Sequence, residues 1–435
     1  MDLAPGVLPL LKVLAAFGAM LLGIRLRVAL GLSILCGAAL LGLLFGMSPT
    51  AWLAAAGRAL IDPETLFLAG IVALILILSD LLERTGQSRR LMDALAQRVR
   101  SPRTRLGLFP ALVGFLPMPG GAIFSAPMVA GIAEKLEITR TRKALINYWF
   151  RHLWEMAWPL YPGMILTSNL AGLPITTLIF YTAPGALCCL ALGWLFYLRP
   201  GVLPLPPAMP APLTGRASAG RLLVLGLPLT VAIVGALGLE AAISAFFPDL
   251  PFELGVVAAL AAAVLCVALQ NRADAGLILA ALTKKSFLNM LLVIAGIFVF
   301  KGQLTASGAV EGMAGLAGGP AALLVSAVFL PFLVGFIAGI NVAFVGSTFP
   351  LLLGLLPVLG LQHQIIPYLV LATFAGFTGV MASPIHICFV LTCQYFGVDL
   401  ARTWRRILAP CALLLAFGCA YFWMLSRLMG QTLPG

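Results

Sequence analysis

Three ionisable side chains sit together inside one long apolar run. Arg151, His152 and Glu155 lie within residues 144–168. The planar fork of an arginine suits two-pronged binding of a carboxylate or phosphate. Histidine takes up a proton near neutral pH, and a buried glutamate can hold one there. On a continuous helix Arg151 and Glu155 are i,i+4 neighbours and His152 precedes Glu155 by three, so the three side chains would share a face. Counted from Lys143 at ~1.5 Å per residue, Arg151 lies about 12 Å and Glu155 about 18 Å along such a helix. Both depths are near the middle of a ~30 Å hydrocarbon layer. Two readings fit: Arg151 binds an anionic ligand while Glu155 or His152 carries a proton, or Arg151 and Glu155 pair so that both can be buried. They are compatible, because a ligand could replace Glu155 as the partner of Arg151.

Other candidates lie where apolar runs are interrupted. Pro119, Gly120 and Gly121 end a Pro-Met-Pro-Gly-Gly turn, followed by Ser125. Paired glycines let a ligand or another backbone approach closely, or simply turn the chain. Asn341, Ser347 and Thr348 punctuate a second apolar stretch and could bind a ligand or one another. Run 144–168 is interrupted at Tyr161-Pro162-Gly163, and Ser383 and His386 flank Pro384 in run 366–396; a helix broken at either place exposes backbone N–H and C=O groups. Lys301 and Asp80 lie near the ends of apolar runs and read as interfacial groups. The eight cysteines all lie in apolar runs without C-x2-C spacing. They read as small packing residues, so neither a metal centre nor a cofactor is expected.

The elements that must position these groups follow from composition. Of 435 residues, 61% are hydrophobic and 10% charged, against about 25% charged in a soluble domain. This excludes a soluble enzyme, a disordered chain and a disulfide-rich secreted module. A spanning helix needs about 20 mostly apolar residues. Ten runs qualify: 5–24, 27–46, 65–82, 144–168, 174–197, 222–246, 252–270, 286–303, 366–396 and 407–428. The expected fold is an all-α polytopic membrane protein. The stretches 104–133 and 319–356 are longer and interrupted, the first by residues 116–121, the second by Gly339-Ile340-Asn341 and Gly346-Ser347-Thr348. Both read as helix–turn–helix hairpins.

Charge sets the expected orientation. Arg84, Arg89, Arg90, Arg98, Arg100, Arg103 and Arg105 precede the first hairpin, and Lys135, Arg140, Arg142 and Lys143 follow it. Lys and Arg collect in cytoplasmic loops, so this hairpin should enter and leave from the cytoplasm, as a re-entrant element. Threading ten spans from that anchor places both termini outside. All but Lys12, Arg58, Arg151, Lys301 and Arg427 of the 27 Lys and Arg residues then fall at the cytoplasmic face. The net charge of +12 therefore specifies orientation in an inner membrane and calls for no nucleic-acid partner.

The halves resemble each other. Phe109-Pro110-Ala111-Leu112-Val113-Gly114-Phe115 aligns with Leu330-Pro331-Phe332-Leu333-Val334-Gly335-Phe336, Pro162 with Pro384, and Thr85-Gly86 with Ser307-Gly308, at offsets of 221 to 222. A duplication is expected: a first repeat over 1–197 with hairpin 104–133, a Pro-rich cytoplasmic linker over 198–220, and a second repeat over 221–435 with hairpin 319–356. Five spans per copy invert the second relative to the first. Inverted repeats with interrupted helices recur in secondary transporters, which bind substrate at mid-membrane.

The Pro-Met-Pro-Gly-Gly turn at 117–121, Ser125-Ala126-Pro127 and Ser383-Pro384-Ile385-His386 resemble domain-of-unknown-function family 401, over about residues 5–428. That family is similar to carriers of gluconate, citrate and dicarboxylates in the ion transporter superfamily. The resemblance implies an elevator mechanism, in which both hairpins and spans four, five, nine and ten slide against a dimeric scaffold. Segment 87–101 would be an interfacial arm joining the two units. The chain lacks the Ser-Asn-Thr tips of the sodium-coupled dicarboxylate branch, so a proton is the expected coupling ion and sodium the alternative. The expected function is a secondary carrier of a small organic anion, with a channel or an intramembrane enzyme as alternatives. No H-E-x-x-H or G-x-S-x-G motif is present to favour an enzyme.

Overall fold

A computed structural model describes residues 7–99, 101–115, 121–134, 136–204, 218–247, 249–251, 253–313 and 319–430. These residues form helices and no strands. The first half contains α1 (Val7–Arg25), α2 (Leu30–Leu44), α3 (Pro49–Ile61), α4 (Pro63–Arg84), α5 (Gln87–Ala96), α6 (Pro102–Val113), α7 (Ala122–Ile132), α8 (Arg140–Arg151), α9 (Pro162–Ala171) and α10 (Ile175–Gly193). The second contains α11 (Ala219–Phe246), α12 (Glu253–Asn271), α13 (Ala275–Leu282), α14 (Lys285–Ala306), α15 (Ala309–Met313), α16 (Gly319–Ala338), α17 (Asn341–Val358), α18 (Ile365–Ala382), α19 (Ile387–Phe396) and α20 (Leu400–Gly430). Among the described residues ten α-helices fall in each half, and some correspond in length while others do not. The helices α4 and α14 both have 22 residues, and α9 and α19 both have ten. Left-handed glycines, Gly86 and Gly308, precede α5 and α15.

Ten helices among the described residues are long and apolar enough to cross a membrane. Two expected spans differ from their sequence reading. Run 27–46 is the 15-residue α2, and run 144–168 is broken at Pro162 as expected but is unwound over the ten residues before it, between α8 and α9. The hairpins also differ in depth. The helices α6 and α7 have 12 and 11 residues, whereas α16 and α17 have 20 and 18 and are each span-length. Gly346-Ser347-Thr348 does not interrupt the second hairpin, because α17 runs through it. Ser347 and Thr348 donate to the carbonyls of Ala343 and Phe344, at 2.7 and 2.6 Å. Gly346 leaves room for Ile297 of α14.

Helix starts at the rims are marked by residue type. Ser48, Asp62, Ser101, Thr139, Ser218 and Asp274 each accept a bond from a first-turn N–H of α3, α4, α6, α8, α11 and α13. Such caps satisfy donors that a helix cannot satisfy itself. The apolar interior has two parts. One draws on α1, α2, α4, α11, α12, α14 and α17; the other draws on α6–α8, α10, α19 and α20. The helix α18 contributes to both and is buried at every position from Pro367 to Ala382.

Two ion-pair groups lie near helix ends. Asp80 meets Arg84 at 2.8 Å and also Lys284, and Lys301 meets Glu64 at 3.0 Å. The segment expected to form an arm contains α5, tied to α11 and α12 by amides. Gln87 Nε2 donates to Leu225 O (3.0 Å) and Gln270 Oε1 (2.7 Å), and Asn271 Nδ2 donates to Gln87 Oε1. Residues 205–217 of the expected linker lie outside the described residues. The cysteines are free thiols.

Candidate functional site: converging helix breaks

The helix α8 ends at Arg151, and residues 152–161 form successive turns. Their N–H groups reach back three residues, as from Glu155 to His152 O (3.3 Å), Ala157 to Trp154 O (3.0 Å) and Tyr161 to Trp158 O (3.1 Å). Pro159 lacks the N–H that a helix would direct to the carbonyl of residue 155, and its ring would collide there. Pro162 restarts the chain at the first position of α9, where proline is pre-organised. Arg151 and Glu155 are therefore not partners on one helical face, contrary to the sequence expectation.

Aromatic donors hold this unwound segment in place. Trp154 Nε1 donates to Ala111 O and Trp158 Nε1 to Phe115 O, both at 3.0 Å, while Tyr161 OH donates to Gly114 O at 2.7 Å. The acceptors lie at the C-terminal end of α6, where carbonyls have no helical partner. Phe115 stacks on Trp154 and Trp158, with centroids at 4.8 and 4.1 Å. The end of one break thus satisfies the backbone of the next.

Arg151 is 2% exposed, and its Nη1 donates to Tyr161 OH at 2.9 Å. Gly121 lies against the guanidinium: a Cβ there would stand 2.6 Å from Nη2. That contact brings the first hairpin's turn to Arg151, although Pro119 and Gly120 themselves lie outside the described residues. Ser125, one turn into α7, donates to Ala122 O (3.2 Å). The same carbonyl accepts from Asn147, which also bonds Thr392.

His152 and Glu155 join the other two breaks. His152 Nδ1 lies 2.6 Å from Tyr148 O, and its Nε2 lies 3.0 Å from His386 Nε2. Glu155 Oε1 is 3.8 Å from His152 Nε2, and Oε2 accepts from Asn341 Nδ2. His386 occupies the turn between α18 and α19, and Asn341 the first position of α17. Gly339, at φ +63°, lets the two turns touch, since a Cβ would come within 3.0 Å of His386 Cα and 3.4 Å of Ser383 Oγ. Asn341 packs on Gly163 at the start of α9. Ser383 Oγ is buried beside this contact without a hydrogen-bond partner. Ser347 and Thr348 lie further along α17; Thr348 instead lines a 330 Å³ cavity with Leu10, Leu14 and Leu323.

Four helices therefore begin at this centre: α7, α9, α17 and α19. None of their N-cap residues supplies a side-chain cap, as is also true of α2, α5, α10, α14 and α18. A helix start directs first-turn N–H groups and the positive end of its dipole outward, and with Arg151 this makes the centre suited to negative charge; in α7 the Ala122 N–H already faces Cys388. A cavity of about 710 Å³, lined by Glu83, Ser88, Arg89, Val113, Phe124 and Pro127, adjoins the first hairpin and α5. Tyr148, Trp154, Trp158, Tyr161 and Cys388 belong to the centre but were not singled out by residue type. The spacing of the aromatics at 154, 158 and 161 was a signal; Cys388 gave none.

Apolar span-length helices around a buried polar centre define a multi-pass helical membrane protein. The chain belongs to DUF401, a family of proteins of unknown function whose pattern matches residues 10–205 and 246–424. No curated protein matches it.

Proposed function

We propose that the protein is a secondary carrier of a small organic anion, working by alternating access in an inner membrane. The observation that carries this reading is the meeting of four helix starts around Arg151, His152 and Glu155: α7 and α9 at Arg151, α17 at Glu155 and α19 at His152. Interrupted helices are tolerated in a bilayer only where protein or a water-filled cavity satisfies them, and intramembrane charges mark substrate paths. A carboxylate bound at Arg151 would take N–H donors from several breaks at once. Glu155 and His152, adjoining that position, carry the coupling proton in this reading.

The equal lengths of α4 and α14 and of α9 and α19 support duplication, and the sequence charge pattern supports inversion of the second copy and re-entry of the hairpins. The elevator assignment is supported by packing. Most residues of the second apolar cluster come from the proposed moving unit, α6–α10 and α16–α20, and the rest from the segments between and after those helices, up to Leu203. The fixed unit, α1–α4 and α11–α14, would form the homodimer, with α5 as the arm between units and both termini outside. Uptake into proteoliposomes of a panel of labelled carboxylates, with and without an inward proton gradient, tests the function. Accumulation driven by the gradient is expected. Absence of uptake, exchange and ligand-induced stabilisation across the panel would refute the carrier, and single-channel currents would replace it with a pore.

A further inference from the structure

The donor atoms of His152, His386 and Cys388 lie within 4.8 Å of one another, and all three residues are buried. They come from two helix breaks far apart in the chain, brought together by the contact described above. We propose that this cluster is a binding site for a borderline-soft divalent cation of the zinc type, with Glu155 as fourth ligand. The inference rests on the ligand geometry and requires no transport, so it stands or falls apart from the carrier reading.

The arrangement of lone pairs carries the argument. The carbonyl of Tyr148 can only accept, so His152 Nδ1, 2.6 Å away, holds the ring proton. The His152 Nε2 lone pair is then directed at His386 Nε2, 3.0 Å off. A backbone carbonyl orienting one ring nitrogen so that the other faces the ion is the usual outer support of a metal-bound histidine. Tetrahedral zinc has Zn–N near 2.0–2.1 Å and Zn–S near 2.3 Å, so ligand nitrogens stand roughly 3.3 Å apart and nitrogen and sulfur roughly 3.6 Å. The observed 3.0 Å between nitrogens and 3.8 Å from His152 Nε2 to Glu155 Oε1 bracket the first spacing. The three-residue cluster is already compact, with all donor atoms within 4.8 Å; Glu155, 3.8 Å from His152 Nε2, lies outside it and would have to swing inward to serve as fourth ligand.

Charge and protons also balance. The Cys388 thiolate and the Glu155 carboxylate supply two negative charges against the two positive charges of the ion, which keeps a neutral unit beside Arg151. On binding, the thiol proton leaves to solvent. The His386 proton moves from Nε2 to Nδ1, which is buried without a hydrogen-bond partner. Imidazole and thiolate together select zinc-like ions over magnesium or calcium, which prefer oxygen. Because ligation uses the groups assigned to the coupling proton, metal and proton would compete for the site.

The test is cobalt titration of the full chain, purified without a histidine tag and stripped by chelator. One equivalent of Co²⁺ is expected to give thiolate charge-transfer absorption and tetrahedral d–d bands, both erased by Zn²⁺. Cys388→Ser should lose the charge-transfer band, whereas Cys411→Ser, at a buried thiol outside the cluster, should keep it. His386→Gln should lose tight binding. Absence of the bands in the parent overturns the proposal without recourse to any variant, and so does a charge-transfer band that persists in Cys388→Ser.

Discussion

Replacing Gly339 by alanine tests whether the meeting of two helix breaks holds the centre together. Two costs arise at this position. The backbone sits at φ +63°, and a left-handed conformation costs a residue with a Cβ roughly 1–2 kcal/mol. The new methyl would also stand 3.0 Å from His386 Cα and 3.3 Å from His386 N. Those are backbone atoms and cannot swing aside, so overpacking adds about 1–3 kcal/mol. Gly360→Ala is the matched control: its φ is +69° and nothing lies within 4 Å of the added carbon. It should carry the conformational cost alone, leaving Gly339→Ala less stable by a further ~1–3 kcal/mol. Reversible unfolding by sodium dodecyl sulfate in mixed micelles reads both values under one condition. Equal losses in the two variants would refute the contact between Gly339 and the α18–α19 turn. The same variant should loosen the bond from Asn341 to Glu155, since Asn341 is two residues away on the displaced turn.

The remaining predictions concern charge and orientation. Arg151→Ala should abolish stabilisation of the purified protein by the transported anion; unchanged ligand-dependent melting would remove Arg151 from the binding site. Glu155→Gln should keep anion exchange and lose accumulation driven by a proton gradient, and unimpaired accumulation would assign the proton elsewhere. Glu240 is buried, and its carboxylate accepts from Ile175 N at the start of α10 (2.6 Å). Glu240→Ala should cost about 1–3 kcal/mol by leaving that amide unsatisfied, with partial recovery in Glu240→Gln; equal stability of all three proteins would exclude the bond. Disrupting Lys301–Glu64, where both side chains are more than a third exposed, should cost less than ~1 kcal/mol. Alkaline phosphatase fused to the C-terminus should be active and a fluorescent protein fused there dark; the opposite pattern would invert the topology.

Much of the architecture was legible because its signals were local. Apolar runs of span length and the clustering of Arg and Lys depend on composition alone. The prolines at 162 and 384 marked both broken spans. The extent of the first break was not legible. Periodicity treats 144–168 as a helix, but Pro159 unwinds the chain upstream of itself, and Trp154, Trp158 and Tyr161 fix it there by bonding carbonyls at the end of α6. That outcome depends on a partner more than 40 residues earlier in the chain. Ser347 and Thr348 looked like a turn, yet their hydroxyls bond back to their own helix and α17 continues. Cys388 was indistinguishable from the packing cysteines, because its neighbour His152 is 236 residues away in sequence.

The knot that fastens α5 to α11 and α12 is built mainly from neutral amides, Gln87, Gln270 and Asn271. Amides do not titrate, and bonds between them are little affected by dissolved salt. A joint of this kind keeps its grip when the pH or ionic strength around it changes, while exposed ion pairs weaken. If α5 links a moving unit to a fixed one and a proton gradient drives that motion, its anchorage would be indifferent to the gradient. The chemistry of the fuel and the mechanics of the hinge would then be kept separate.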